Sequence, residues 1–382
     1  MSTMNPRERF WQNMRFDPSV GVPFWADWLG PWKRWRNEGL EVDLALSEDD
    51  LRSWCLEHFQ FEGMYSIFWG QPRVPVEIGV SPSFPLEVFE ETAAWRIYRG
   101  ADGTIMKQFT DTGEFMHSTQ FLEYPIKCRK DWEKFRDERL DPDAPGRYPA
   151  ESSWEALKAA WKNRDFALSI DGGSFYGLLR DWVGVETLSV WFYDEPDLVR
   201  EMMEYLAGFY VRVLERAVSE VDIDFAMFWE DMCYKTGPLL SPGMFRSFML
   251  PCYRKVTSFL EAHGIALSWV DCDGNIDELL PLWLEGGVRG FYPLEVAAGM
   301  DAAKLRAEYG QRILLWGNVD KRALARGKAA IDAELARLAP VAAAGGFIPL
   351  VDHQVPDDVP LENYLYYLER RKVLFAPGTA RR

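Results

Sequence analysis

The sequence predicts a single (β/α)8 barrel, an α/β fold in which eight parallel strands alternate with helices. The main observation is a series of eight short apolar stretches, most of them followed directly by a helical stretch, along the 382 residues. This rhythm in a chain of this length favours a closed barrel. The alternative is a doubly wound open sheet, but the Gly-rich phosphate loop of that fold is absent after the first strand.

Each predicted strand is an apolar run that ends at polar residues. They are, in chain order, GVPFWADW from Gly21, GMYSIFWG from Gly63, FALSIDGG from Phe166, IDFAMFWED from Ile223, ALSWVDCDGN from Ala266, GVRGFYPLE from Gly287, RILLWGNVD from Arg312 and GGFIPLVDH from Gly345. Helix starts support the assignment, since Ser47 precedes a helix with acids in its first turn, and Ser241 with Pro242 forms a cap followed by proline.

We expect residues 1–382 to form one domain with an N-terminal extension and two departures from the barrel pattern. Residues 71–127 are rich in Pro, Gly and β-forming residues, which indicates an insertion after the second strand. Within it, AAWRIYRGADGTIMKQF predicts a β-hairpin that turns at Ala101, Asp102 and Gly103. Insertions in barrels often form lids or partner surfaces. The tail, residues 376–382, is expected to be disordered.

Composition excludes several function classes. The formal net charge of -16 disfavours nucleic acid and anionic membranes as partners, because both are polyanions. The five cysteines are dispersed without C-x-x-C spacing, which indicates free thiols in a reducing compartment. The N-terminus has no apolar segment typical of a secretory signal, and no run is long enough to span a membrane. We therefore expect a cytoplasmic protein.

Acids and amides follow the predicted strands one after another. They are Asp27, Asp171, Glu230 with Asp231, Asp271 with Asp273, Glu295, Asn318 with Asp320, and Asp352 with His353. The carboxyl ends of the strands carry the chemistry in barrels, so these side chains are expected to share one face. Single members such as Asp320 are interpreted as helix caps.

The stretch ALSWVDCDGN is the centre of the predicted site. Side chains two apart on a strand point the same way, so Asp271 and Asp273 are expected on one side and Cys272 on the other. Two adjacent carboxylates repel each other unless a cation or a proton lies between them. Asp273 or Asn275 could instead cap the following helix, which explains one of these residues but not the pair, and capping is favoured for Asn275.

His353 is one of four histidines and lies among acids. A lone histidine is more often structural than a ligand, but Asp271, Asp273 and His353 together form a set of two carboxylates and one imidazole, with Glu230 nearby. Such a set suits a divalent ion such as zinc acting as a Lewis acid. The alternative is a metal-free cluster of carboxylates with raised pKa values that act as general acids.

The 17 tryptophans and the 15% aromatic content are high for a protein of this size. Most of these residues are expected in the core, although an excess also suits a pocket for a flat ligand. The candidates for such a pocket are Trp25, Trp69, Tyr176 and Trp229.

Several segments together resemble the uroporphyrinogen decarboxylase superfamily, over about 22–375. They are SPGMFRSFMLP, DCDGN, PLEVAAGMD, WGNVDKRAL and GGFIPLVDHQVPDDVPLENY. The resemblance implies a single (β/α)8 barrel. True decarboxylases of the superfamily are metal-free and hold a polycarboxylate tetrapyrrole with a motif of the form R-Q-A-G-R-Y. The corresponding stretch here, FWADWLGPWKRW, lacks that motif.

The resemblance is greater to the cobalamin-dependent methyltransferase branch, which binds zinc through a His-x-Cys pair and a Cys near the last strand. It implies that Asp271 and Asp273 occupy the first two ligand positions and His353 the third, so no thiolate remains. This set is similar to that of subgroups which take methyl groups from O-methylated substrates, including aryl methyl ethers. A harder O/N site should polarise an ether oxygen.

The predicted function is metal-dependent transfer of a methyl group from a small O-methyl donor to a corrinoid protein. The corrinoid is expected on a partner, because no D-x-H-x-x-G stretch occurs in the chain. Glu230 is the predicted proton donor with Asp231 as the second catalytic acid, and the predicted substrate-binding residues are Trp25, Asp27, Trp69, Tyr176, Trp229, Asn275 and Asn318. The alternatives are a metal-independent decarboxylase, for which Arg180, Arg289 and Lys321 are the candidate cations, and a non-catalytic tetrapyrrole-binding barrel.

Overall fold

A computed structural model describes residues 4–64, 72–109 and 118–376. The strands are β1 (Trp25–Ala26), β2 (Gly63–Met64), β3 (Glu87–Glu91), β4 (Trp95–Arg99), β5 (Ile105–Phe109), β6 (Thr119–Glu123), β7 (Ser169–Gly173), β8 (Phe225–Trp229), β9 (Cys233–Tyr234), β10 (Gly237–Pro238), β11 (Ser268–Asp271), β12 (Gly290–Tyr292), β13 (Leu314–Val319) and β14 (Phe347–Val351). The α-helices are α1 (Pro6–Met14), α2 (Trp32–Asn37), α3 (Glu48–Phe59), α4 (Arg129–Arg139), α5 (Glu151–Trp161), α6 (Gly177–Val183), α7 (Val185–Asp194), α8 (Pro196–Glu220), α9 (Pro242–Met244), α10 (Leu250–Ala262), α11 (Leu280–Glu285), α12 (Ala302–Tyr309), α13 (Lys321–Ala325), α14 (Lys328–Ala343) and α15 (Leu361–Leu374). A π-helical turn joins α9 to α10, and 3₁₀ turns cover Val296–Ala298 and Gly310–Arg312.

Six strands form one parallel sheet in the order β14-β13-β12-β11-β8-β7, and β1 and β2 form a separate parallel pair. In the large sheet, strands that follow each other among these six are also neighbours in space, and their connections run through helices. This is the arrangement expected of an α/β barrel. All eight predicted strands therefore occur, although residues 65–71 after β2 lie outside the described part of the chain.

Isolated parallel bridges occur at both ends of the six-stranded sheet. Leu29 bridges to Val355 beyond β14, and Arg73 bridges to Ser169 at the start of β7. The segments that follow β1 and β2 thus lie beside the two outer strands. In the described residues these contacts are bridges and not continuous ladders.

Strand residues alternate between two separate hydrophobic clusters. Trp269 belongs to an aromatic cluster inside the curved sheet, whereas Val270 and Cys272 belong to the larger cluster beneath the helices. Trp269 stacks on Trp316 with ring centroids 4.1 Å apart. Because side chains two apart on a strand share a face, Asp271 follows Trp269 on the inner face.

Helix α1 closes the amino end of this inner cluster. Phe10 is fully buried and stacks on Trp25 with ring centroids 5.4 Å apart. Helix α1 is attached to a residue that precedes a strand, because Arg7 pairs at 2.8 Å with Asp224, which lies just before β8. The inner cluster thus occupies the space on the inner face of the sheet near the amino ends of the strands. The polar residues lie at the carboxyl ends.

Between β2 and β7 the chain forms an antiparallel sheet in the order β3-β4-β5-β6. Strands β4 and β5 form a hairpin across residues 100–104, where the sequence predicts a turn. Thr104 at this turn donates a hydrogen bond to the carbonyl of Asp181 on α6 at 3.2 Å. The insertion is therefore attached beside the carboxyl ends of the strands. Across the described residues, no helix has the length and apolar character needed to cross a membrane.

Candidate active site

The centre of the candidate site is a histidine–aspartate pair contributed by two strand ends. Nε2 of His353, two residues after β14, lies 3.3 Å from Oδ2 of Asp273, two residues after β11. The two side chains are 24% and 33% exposed. The ring of Trp28 lies against the imidazole with ring centroids 4.9 Å apart. Two of the predicted metal ligands are thus in contact, in a partly exposed and partly aromatic setting.

The loop after Asp273 has its shape fixed by Gly274. This glycine has a φ of +81°, and an added Cβ would lie 2.6 Å from the carbonyl oxygen of Cys233. A side chain therefore does not fit there. The amide of Gly274 donates to Oε2 of Glu295 at 2.9 Å. The loop that carries Asp273 is consequently held by both its backbone conformation and a carboxylate from the end of β12.

Asp231 is the second partly exposed acid of the site. Its φ is +46°, and Arg180 stabilises this left-handed conformation by donating to the Asp231 carbonyl at 2.6 Å and to Oδ2 at 3.4 Å. Burial raises the pKa of Asp231, the charge of Asp273 raises it further, and Arg180 opposes the rise. The Arg180 guanidinium also lies 5.2 Å from the ring centroid of Trp229. Asp231 is thus an acid with a raised pKa close to the His353–Asp273 pair.

Glu230 has a different environment from its neighbour. It is fully buried and accepts hydrogen bonds from the amides of Phe175, Tyr176 and Gly177 at 2.7–3.1 Å and from the Tyr253 hydroxyl at 2.5 Å. Burial raises the pKa of Glu230, whereas these hydrogen bonds oppose the rise. The carboxylate holds the start of α6 and has its acceptors occupied. We therefore assign Glu230 a structural role instead of the predicted role of proton donor.

The predicted third metal ligand, Asp271, is the last residue of β11 and is partly buried. Within residues 4–64, 72–109 and 118–376, no three His, Cys, Asp or Glu side chains come together in a group that could hold a metal ion. Oxygen and nitrogen donors suit zinc, but the described geometry supplies a pair and not a three-ligand site. The metal ligand set therefore stays a prediction, and we derive no chemical step through a metal ion.

Two predicted substrate-binding residues near the first strand belong to the interior. Trp25 is 2% exposed and lies in the inner aromatic cluster. Asp27 is buried, pairs with Arg371 at 3.0 Å and accepts the amide of Val351 at 2.7 Å. The Tyr367 hydroxyl donates to the same carboxylate at 3.3 Å. Both positions were predicted for substrate, and both instead stabilise the fold.

The two predicted amides also have structural roles. Asn275 accepts the amide of Asp277 at 3.1 Å and donates to the carbonyl of Ala298 at 3.0 Å, so it shapes a turn. Asn318 is fully buried, donates to the carbonyls of Leu294 and Met300, and accepts the amide of Ala302.

Among the remaining aromatic candidates, only Trp229 is described at the site. Tyr176 is 1% exposed and packs on Phe192 with ring centroids 6.4 Å apart. Trp69 lies outside the described residues.

Trp28 was not predicted from the sequence, and Arg180 was predicted only as an anion-binding cation. Trp28 follows the short strand β1 by two residues, and the signal that could have indicated it is its position one residue after the strand-end acid Asp27. Arg180 is on α6, one turn after the capped start, and no local pattern connects it to Asp231. Their roles depend on contacts across the fold.

Comparisons with known proteins agree with this architecture. The structure is similar to that of a methyltransferase from Methanosarcina mazei, with a TM-score of 0.60 and 16% sequence identity, covering 98% of this chain and 100% of the other. No curated protein sequence matches this chain. The model of the family described as uroporphyrinogen decarboxylase (URO-D) matches residues 176–373, which is just over half of the chain. The protein therefore belongs to the uroporphyrinogen decarboxylase family.

Proposed function

We propose that this protein is a methyltransferase that moves a methyl group from a small O-methyl donor, such as an aryl methyl ether, to a corrinoid bound by a separate protein. The family membership and the similarity in fold to a methyltransferase support the reaction class. The observation that carries the proposal is the group of Asp231, Asp273 and His353. It offers a proton donor beside a partly exposed pair at the carboxyl end of the strands.

The proposed reaction breaks the bond between the methyl carbon and the donor oxygen. A corrinoid held by the partner protein would supply the nucleophile and accept the methyl group. The electron pair of the broken bond stays on the oxygen, which takes a proton from the Asp231 carboxyl group. The raised pKa of Asp231 favours the protonated form that this step needs. With 34% of its side chain exposed, Asp231 can recover the proton from water.

The His353–Asp273 pair has a positioning role in this proposal. Asp273 orients the imidazole by accepting from Nε2 through the 3.3 Å contact, and in the doubly protonated ring the other nitrogen of His353 can donate to the donor oxygen. Trp28 beside His353 and Trp229 beside Arg180 offer aromatic surface to a flat methoxylated ring. The metal ion predicted from the sequence is no part of this step, and the experiment below tests its contribution separately.

The alternative, decarboxylation of a polycarboxylate, requires cations that are free to bind the substrate. Arg180 is engaged by Asp181 and Asp231, and Lys321 pairs with Glu295 at 3.1 Å. Arg289 directly precedes β12 and therefore lies at the opposite end of the strands. The three candidate cations do not form a free basic pocket, so a substrate without negative charge is favoured.

The test is methylation of free cob(I)alamin with a panel of methoxylated aromatic compounds, with and without added zinc. We expect formation of methylcobalamin with at least one donor by the wild-type protein. Asp231→Asn should reduce the rate by about 10²–10⁴-fold, the range of general acid catalysis. Release of CO2 from a porphyrinogen, or no methyl transfer from any donor in either metal condition, would reject the proposal.

Asp277→Asn is a matched control for Asp273→Asn. Both carboxylates have side chains that are 33% exposed, but Asp277 pairs with Lys304 at 3.0 Å and not with His353. Asp277→Asn should retain wild-type methyl transfer, whereas Asp273→Asn should lose it. Zinc-dependent methyl transfer by the wild type and by Asp277→Asn, together with loss of zinc binding in Asp273→Asn, would show that the predicted metal site is used.

A further inference from the structure

A cavity of about 590 Å³ lies near the amino ends of β11, β12 and β13, at the opposite end of these strands from the candidate active site. Its walls come from α10 and α11, and its base comes from the segments that lead into β11 and β12. The volume is within the range of small-molecule sites, about 300–1,000 Å³. The proposed reaction makes no use of this cavity, so its lining needs a separate account.

One part of the lining is apolar. Leu260 of α10, Leu284 of α11 and Ile265 before β11 supply aliphatic side chains. Tyr309 at the end of α12 adds an aromatic ring that is partly exposed. Ligand sites typically combine such a lining with a small number of converging polar groups.

The converging polar groups are the guanidinium groups of Arg289 and Arg312, which are held by one short segment before β13. Nη2 of Arg289 donates to the carbonyl of Gln311 at 3.4 Å. Nε of Arg312 donates to the carbonyl of Tyr309 at 3.3 Å, and its guanidinium lies 5.3 Å from the Tyr309 ring centroid. A guanidinium has five N–H donors, so each of the two keeps most of its donors available.

Neither of these guanidinium groups has a carboxylate within ion-pair distance in the described part of the chain. This holds although the sequence has 59 acidic residues against 43 basic ones. Glu285 lines the same cavity but is engaged on its outer side, where it pairs with Arg246 at 2.7 Å and with Arg254 at 2.8 Å. Two like charges on one segment repel each other unless an anion lies between them.

We propose that this cavity binds a small phosphate monoester, with the phosphate group at Arg289 and Arg312 and the apolar part against Leu260 and Leu284. The planar guanidinium fork matches the oxygen atoms of phosphate and can donate two parallel hydrogen bonds. A phosphate monoester carries about two negative charges and three acceptor oxygens at neutral pH. Its charge therefore matches that of the two arginines.

The position of the charges sets the orientation of the ligand. Glu261 on α10 lines the wall of the cavity, whereas the two arginines precede β12 and β13. A phosphate group close to α10 would be repelled by Glu261, and one at the arginines would be attracted. The ligand would bind at the opposite end of the strands from Asp273 and His353, so the proposal does not depend on the proposed methyl transfer.

Isothermal titration calorimetry of the full chain with phenyl phosphate tests the proposal. Low ionic strength is needed, because salt screens exposed charges. We expect phenyl phosphate to bind with a dissociation constant below about 1 mM. Inorganic phosphate should bind about tenfold more weakly, because it lacks the apolar part that would cover Leu260 and Leu284.

Two arginine variants and a matched control locate the binding site. Arg289→Ala and Arg312→Ala should each weaken the binding of phenyl phosphate by about tenfold or more, since each removes hydrogen bonds to a charged group. Arg15→Ala is the control. Arg15 is exposed like Arg312, and its guanidinium lies 5.0 Å from the Trp11 ring centroid, but it does not line the cavity. Arg15→Ala should bind phenyl phosphate like the wild type.

Two carboxylate variants complete the test. Glu261→Gln should strengthen the binding of phenyl phosphate, because it removes a negative charge from the wall. Asp273→Asn should leave binding unchanged, since Asp273 belongs to the candidate active site. Absence of binding at about 10 mM phenyl phosphate would overturn the proposal. Equal effects of Arg312→Ala and Arg15→Ala, no gain with Glu261→Gln, equal affinity for inorganic phosphate, or loss of binding with Asp273→Asn would overturn it as well.

Discussion

Glu230 and Asp231 are neighbours in sequence, yet they belong to different kinds of region. Glu230, like Asp27, is a fully buried carboxylate that is held by several donors from the fold. Asp231, like Asp273, is about one-third exposed and has few protein partners. We call the first kind carboxylate clamps. An acid at a strand end therefore stabilises the fold when hydrogen-bond donors surround it and is available for chemistry when they do not.

The strongest test of a clamp is Asp27→Ala. This change leaves the buried Arg371 guanidinium without its carboxylate partner at 3.0 Å. Removing one partner of a buried ion pair costs about 3–5 kcal/mol of unfolding free energy, measured by urea denaturation. Asp273→Ala, at a site acid that is about one-third exposed, should cost less than about 1 kcal/mol. Equal losses in the two variants would remove the distinction between clamps and site acids.

A smaller loss is expected for Glu230→Gln. The carboxylate of Glu230 now accepts hydrogen bonds from N–H and O–H groups. In the glutamine variant the side-chain NH2 would face one or more of these donors, and each buried donor left without an acceptor costs about 1–3 kcal/mol of unfolding free energy. Tyr253→Phe removes one donor to the same carboxylate and should cost about 1 kcal/mol. Urea denaturation of both variants checks the order. A Glu230→Gln variant as stable as the wild type would indicate that Glu230 is protonated in the folded protein, as the predicted proton donor would be.

The smallest expected effect is a pH dependence that involves Asp352. Burial raises the pKa of Asp352 from 3.8 to about 6, while the amides of Lys321 and Val296 oppose the rise. Because the folded protein holds this proton more tightly than the unfolded chain, the resulting stabilisation is complete below pH 4 and is lost as the pH rises through 6. Between pH 5 and pH 7.5 the loss is about 1 kcal/mol.

Asp352→Asn should remove this dependence. The difference in unfolding free energy between the variant and the wild type should therefore shift by about 1 kcal/mol in favour of the variant from pH 5 to pH 7.5. Parallel curves for the two proteins over this range would show that Asp352 titrates normally and belongs with the exposed acids.

The parallel strands and their carboxyl-end acids could be predicted because they depend on local patterns. An apolar run followed by Asp or Glu marks both a strand and its end, as at Asp271 and Asp352. The division between clamps and site acids could not be predicted, since it depends on donors from distant segments. Arg371 is 344 residues from Asp27, and Tyr253 reaches Glu230 from α10. The metal ligand set stays a prediction, with only Asp273 and His353 in contact.

The aromatic packing around Phe10 has a consequence for the order of events during turnover. Phe10, Trp269 and Trp316 fill the space below the strand ends, so small molecules cannot enter from the amino side. Under the proposed reaction, the methyl donor, the demethylated product and the incoming methyl acceptor would therefore all use the entrance at the carboxyl ends of the strands. Under the proposed reaction, the acceptor would block departure of the product while it is docked, and turnover would wait for the two proteins to separate.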